Sequence, residues 1–177
     1  MQADKLLGRV AVALCLLVLA GCSPTFNWRE VRVGTSDLRV LLPCKPEAAS
    51  RKVPVFGHES TLLMVSCDAG DITFAVSTLS VSSGSSPVSI ADAWKRATLA
   101  GLKADPAQVR GWAVPARAGM AMEGWEVMGA RHTGQPVRVR VLGVRQGENL
   151  FQLAVYGEPL PEVLSTFVDG ARFAPLP

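Results

Sequence analysis

Histidine is nearly missing from this chain, with His58 and His132 the only two in 177 residues. A zinc site wants three or four convergent His, Cys or carboxylate ligands, and neither histidine stands at metal-ligand spacing. His58 follows Gly57 in a loop-like stretch and His132 precedes a Thr133-Gly134 turn, so both read as surface or turn residues. There is no C-x-x-C redox pair, no G-x-S-x-G elbow and no glycine-rich phosphate loop. The serines between Ser77 and Ser89 then read as a flexible loop rather than as nucleophiles. Glu123 and Glu126 lie close in sequence, but on a strand they point to opposite faces and make a poor acid/base pair. These gaps weigh against an enzyme, and no cofactor or metal is expected.

A dominant charge of one sign is missing too. Of 18 basic and 15 acidic side chains, Lys5, Arg9 and Asp4 belong to the N-terminal stretch considered next. Taking them away leaves 16 and 14, a net +2. So small an excess does not suggest a nucleic-acid partner. Long apolar runs are also absent after the first 21 residues, so no later segment is long enough to span a bilayer as a helix.

What the chain does have begins at its N-terminus. Lys5 and Arg9 are followed by an unbroken apolar run from Val10 to Ala20, then by Gly21-Cys22 and a Ser23-Pro24 break. A positive start, a short apolar stretch and a small-residue cleavage site are the three parts of a secretory signal. The run is shorter than the roughly 20 apolar residues a spanning helix needs. Leu19-Ala20-Gly21-Cys22 resembles the bacterial lipobox, L-[AS]-[GA]-C. The resemblance implies cleavage before Cys22, a lipid on its thiol and a membrane anchor. Each buried methylene contributes about 0.8 kcal/mol, and one acyl chain alone binds marginally. Bacterial lipoproteins carry two or three. Ser23 after the cysteine, read by the enterobacterial sorting rule, favours the outer membrane, facing the periplasm. The expected organisation is a signal peptide over 1–21, a lipidated tether over 22–27 and one domain over 28–177.

Cys44 and Cys67 remain besides Cys22, since Cys15 leaves with the signal. In an oxidising compartment two such cysteines usually pair. The bridge would close a loop of roughly 24 residues and contribute about 3 kcal/mol. Two free buried thiols or a redox pair are the rival readings. Phe26 in the tether and Trp28 at the start of the domain could rest at the lipid interface; the alternative is that Trp28 packs on the domain.

Strand signals dominate the rest. Trp28 to Val33 and Leu38 to Leu42 flank Gly34-Thr35-Ser36-Asp37 and read as a hairpin. Lys45 to Lys52 reads as a polar loop, and Val53 to Ser60 as a short edge strand demoted by Pro54. Thr61 to Cys67 and Ile72 to Val81 flank another turn. A first helix is expected from an N-cap at Ser89, with Ile90, Ala93, Trp94, Ala97 and Gly101 on its buried face, ending before Asp105-Pro106. Val109 to Pro115, Met122 to His132, Gln135 to Arg145 and Asn149 to Tyr156 form a meander. On its third strand Val137, Val139 and Val141 face the core, and the other side is mostly wet. A last helix carries Leu160, Val163, Leu164, Phe167 and Val168 in one stripe and stops at Gly170; Ala171 to Phe173 returns a short strand.

The fold class is therefore α+β: a mostly antiparallel sheet of about six to seven strands packed with two amphipathic helices. The strand ending in Leu41-Leu42-Pro43-Cys44-Lys45-Pro46, and the final helix running from Ser165-Thr166-Phe167 to Phe173, resemble the PsbP/Mog1-like sandwich of small exported domains. Members of that fold have unrelated roles, so no function follows from the likeness. One charge pattern stands out. Arg138, Arg140 and Arg145, with Arg131 on the preceding strand, form a candidate contact for lipid phosphates or an acidic partner, because guanidinium forks match phosphate geometry. The plainer reading is the solvated face of a strand. The function expected is a non-catalytic envelope lipoprotein, an accessory or interaction module with an envelope protein as partner. The alternative is a carrier for a small ligand or lipid.

Overall fold

A computed structural model describes residues 25–36, 38–55, 58–81, 86–117 and 119–173. The expected signal, Cys22 and the start of the tether lie outside the described residues. The strands are β1 (Arg29–Arg32), β2 (Arg39–Leu42), β3 (Glu47–Val55), β4 (His58–Ala69), β5 (Ile72–Ser80), β6 (Arg110–Trp112), β7 (Ala121–Ala130), β8 (Pro136–Gln146) and β9 (Asn149–Tyr156). The helices are α1 (Pro87–Gly101) between β5 and β6, followed by a 3₁₀ turn at Pro106–Gln108, and α2 (Pro161–Asp169) after β9. Strands β1 and β2 pair with each other, and the other seven form one sheet in the order β3-β4-β5-β9-β8-β7-β6. Every pairing in both sheets is antiparallel. Two meanders thus meet where β9 lies beside β5, and α1 carries the chain from β5 to the far edge.

The α+β class holds, but the sheet is covered on both faces rather than one. Val65, Phe74, Val76, Leu142, Val144, Phe151 and Leu153 are buried with Val40 and Leu42 of β2 and Val163, Phe167 and Val168 of α2. On the other face Trp125, Val127, Val137, Val139, Val141 and Ala154 lie under Leu99 and Leu102 at the end of α1. A strand places alternate residues on opposite faces, so Leu142 and Val144 continue the side begun by Arg138 and Arg140. The side of β8 expected to be wet is dry over half its length because β1, β2 and α2 form a third layer. Each fully buried Leu, Val or Phe contributes roughly 1.5–3 kcal/mol. That is ample reason for the chain to cover both faces.

Four local expectations need correction. The stretch read as a loop from Lys45 is strand β3, paired with β4 from Glu47 to Val55. It is polar because it is an exposed edge, where charges and proline discourage pairing with other chains. Helix α1 is capped by Ser86, not Ser89: the Ser86 hydroxyl accepts from the Ser89 amide, and Pro87 occupies the first turn, where its missing N–H costs nothing. Its buried residues are Ile90 and Leu99, with Leu102 just beyond, whereas Ala97 and Gly101 are exposed. The helix ends with Lys103 in the left-handed region (φ 51°), while the Ala104 amide reaches back to the Leu99 carbonyl and the Lys103 amide to that of Ala100. Both bonds satisfy carbonyls that the helix end would otherwise orphan. The last strand shrinks to a single bridge between Arg39 and Arg172.

Cys44 and Cys67 form a disulfide, S–S 2.04 Å. It ties the exit of β2 to β4 and so fastens the third layer to the main sheet. Nearby, Phe167 meets Phe74 edge-on with centroids 5.3 Å apart, Trp28 meets Phe74 at 6.3 Å, and Phe26 stacks on Trp28 at 6.3 Å. Phe26 and Trp28 therefore both pack against the core of the domain. No helix among the described residues is long and apolar enough to cross a membrane.

Candidate functional site: a groove beside the first helix

Helix α1 lies over β8 and β9 and leaves the same face of β3, β4 and β5 open beside it. The gap is a groove of about 740 Å³. Leu62, Met64, Ser66 and Asp68 of β4 and Thr73, Ala75 and Ser77 of β5 form its floor, with Trp94, Ala97 and Gly101 of α1 as its wall. Period-two projection puts these floor residues on one face. Met64, at 40% exposure one of the most exposed large apolar side chains, lies in the middle of the floor.

The groove changes character along its length. Past Leu62 and Trp94 it runs into an apolar recess of about 260 Å³, bounded by Val53, Val55, Leu79 and Ile90. Six residues along β4 from Leu62, roughly 20 Å away at strand spacing, the lining becomes polar. There Thr73 donates to Asp68 Oδ1 at 2.5 Å, and Arg131 Nη1 donates to the Thr73 hydroxyl at 3.3 Å. Arg131 Nη2 donates to the Asp71 carbonyl at 3.0 Å and to that of Tyr156 at 3.4 Å. Arg131 thus staples the β4–β5 turn to the end of β9. Tyr156 lines the groove beside it. Burial pushes its phenol above the usual value, and the Arg131 charge pulls the other way. The phenol is neutral at neutral pH and offers a hydrogen bond rather than a charge. The exposed His132 stands at this mouth, next to the turn that Gly134 closes on Arg131.

Beyond the polar mouth a second hollow adjoins Asp68, Thr73 and Arg131 and is bounded by Thr25 and Phe26. The mouth and the first described residues of the chain therefore share one end of the molecule.

The arginines singled out by sequence do not form one surface. Arg138 and Arg140 project together but into carboxylates. Arg138 Nε donates to Glu158 Oε1 at 2.5 Å, and Arg140 Nε donates to Glu126 Oε2 at 3.0 Å. The Glu158 hydrogen bond, above all, raises the Arg138 pKa. Arg145 stands on the opposite face, against α1. Strand parity alone separates an odd-numbered residue from two even-numbered ones. Glu123 and Glu126 likewise part, Glu123 to Lys95 of α1 and Glu126 to Arg140. Among the described residues no three His, Cys, Asp or Glu side chains gather as a metal site.

The groove was not foreseen. Helical spacing puts Ala97 on the buried face, and nothing in Met64 or Ser66 marks them as a floor. The only available signal was the polar alternation of Ser66, Asp68, Thr73 and Ser77 on strands whose other sides are apolar. No family model, no curated protein and no solved structure matches the chain.

Proposed function

We propose that the protein is a non-catalytic envelope lipoprotein, anchored through Cys22, whose groove beside α1 takes a segment of a partner protein. The observation that carries this is the uncovered face of β3–β5, open along one side, with Met64 exposed and Leu62 half-buried along its floor. An exposed apolar stretch rimmed by polar groups is the form interaction sites take. An open trough about 20 Å long suits an extended segment of roughly six residues, which the mixed lining can grade from apolar to polar. The anchor fits the geometry. Phe26 is four steps along the chain from Cys22, a reach of about 14 Å at most. The end carrying the polar mouth then stays close to the lipid, in this reading the periplasmic side of the outer membrane.

Two experiments test the halves separately. Cys22→Ser should move the protein from the membrane fraction to the soluble envelope; a variant that stays membrane-bound refutes the anchor. A photocrosslinking residue in place of Ala97, inside the groove, should capture one dominant envelope protein. The same residue in place of Glu162, exposed on α2, should not. Lipid captured at Ala97 with no protein would replace this reading with the carrier. Equal capture at both positions would remove the groove as the site.

A further inference from the structure

On the opposite flank of α1 the helix and the sheet enclose a separate small recess of about 140 Å³, over Gly143 of β8. We infer that it is a binding site for a small oxyanion, a phosphate or a small carboxylate of no more than about six heavy atoms, held by Arg145, Lys95 and Gln152. A cavity of about 150 Å³ accepts a benzene ring, which sets that size. The inference does not depend on the partner groove or on the anchor.

Hydrogen-bond donors without acceptors carry the argument. The Arg145 guanidinium makes no hydrogen bond or ion pair among the described residues. This is unlike Arg138 and Arg140 on the same strand, which carboxylates neutralise. Gln152, directly across from Gly143 in the register, has its amide oxygen taken by the Thr98 hydroxyl at 3.1 Å. That contact orients the side chain and leaves its amide N–H groups to donate. Lys95 comes from α1, is 24% exposed, and sits 5.7 Å from the ring centre of the buried Trp125, a cation–π contact that steadies the ammonium. Strand parity places Arg145, Gly143 and Glu123 on the α1 side together.

The pocket already holds a carboxylate on Lys95, that of Glu123. Glu123 is 61% exposed, and an ion pair so open to water is weak. An incoming anion displaces it toward solvent and gains Arg145, which Glu123 does not engage. Space for the anion exists because residue 143 has no side chain. A Cβ there would meet only the Glu123 carbonyl, at an ordinary 3.7 Å, so the site can be filled without straining the strand.

The test titrates the intact protein with inorganic phosphate and, separately, with acetate. The readouts are tryptophan fluorescence and amide chemical shifts around Gly143. Saturable binding confined to this recess is expected, and the tighter of the two probes identifies the group. Arg145→Gln should weaken it by about tenfold or more, the effect of losing a charge-assisted contact. Glu123→Gln should tighten it by freeing Lys95. Gly143→Val should abolish it while leaving the fold and its thermal midpoint intact. No saturable response to either anion, or a response unchanged in both Arg145→Gln and Gly143→Val, overturns the assignment.

Discussion

The indole of Trp112, on the edge strand β6, lies directly on Gly124 of β7. A Cβ on Gly124 would stand 2.6 Å from two carbons of that ring and 2.6 Å from Val114. The two residues face each other in the ladder, so a large ring fills the place of a missing side chain. This is how a three-residue edge strand stays attached: the ring covers backbone that glycine leaves bare. Gly124→Ala must push both neighbours aside. Overpacking of this kind costs about 1–3 kcal/mol. Gly111→Ala, where the added carbon meets only the Gly124 carbonyl at 3.8 Å, should cost much less. Urea unfolding of the two variants should show that order, and the reverse order would refute the packing argument.

The Cys44–Cys67 bridge joins the β1–β2 layer to the main sheet across a separation of 23 residues. Closing a loop of that length in the unfolded chain contributes about 3 kcal/mol. The double variant Cys44→Ser, Cys67→Ser should lose about that much in urea unfolding. Intact protein should shift on a gel when reduced after denaturation. Hydrogen exchange should rise first in Val40 and Leu42, which the bridge holds against the sheet. A loss spread evenly over the chain would mean that the bridge stabilises only through the unfolded state.

Glu126 and Glu158 share the same two arginines but are not equals. Glu126 is 22% exposed and stands directly across from Arg140 on the neighbouring strand, whereas Glu158 is 64% exposed in the loop after β9. Removing Glu126 leaves the half-buried Arg140 with a single oxygen of Glu158 at 3.8 Å. Glu126→Gln should therefore cost about 1 kcal/mol, the scale of an opposed cross-strand charge pair. Glu158→Gln should cost less than half as much, as exposed pairs do. Thermal unfolding at low and high salt measures both, and equal losses would show that burial does not set the value here.

What could be read from the sequence followed the strength of the side-chain signal. The meander β7–β9 was visible because Val137, Val139 and Val141 alternate with polar neighbours. The stripe of α2 was visible because Val163, Phe167 and Val168 are large. Helix α1 was found but turned: alanine and glycine carry little hydrophobic information, so Ala97 and Gly101 drew the buried face away from Leu99 and Leu102. Strand β3 hid behind its own edge protection, since Ser50, Arg51 and Lys52 look like a loop until pairing with β4 is known, and only its end from Val53 reads as an edge strand. The third layer rests on contacts between residues far apart in the chain, such as Phe74 with Phe167. The groove depends on how far α1 sits to one side of the sheet, and periodicity along a chain holds no record of lateral placement. Arg145 is different. Strand parity already separated it from Arg138 and Arg140.

Tyr156 is the only tyrosine in the chain, so its ionisation can be followed alone by near-ultraviolet absorbance. Burial raises its pKa above the ordinary value of about 10, and Arg131 works against that rise. The folded protein therefore keeps the phenolic proton where the unfolded chain has begun to lose it. Stability from this residue is intact below about pH 10 and falls as pH climbs from there through the folded pKa. In native protein the absorbance midpoint should lie above that of the same protein in strong denaturant. Arg131→Gln should move it higher still, because the opposing charge is gone. Tyr156→Phe should flatten this part of the alkaline fall in stability and leave the neutral region nearly unchanged. Coincident midpoints in native and denaturing conditions would place the ring in water, and the polar mouth of the groove would then be wetter than the packing of Tyr156 beside Arg131 implies.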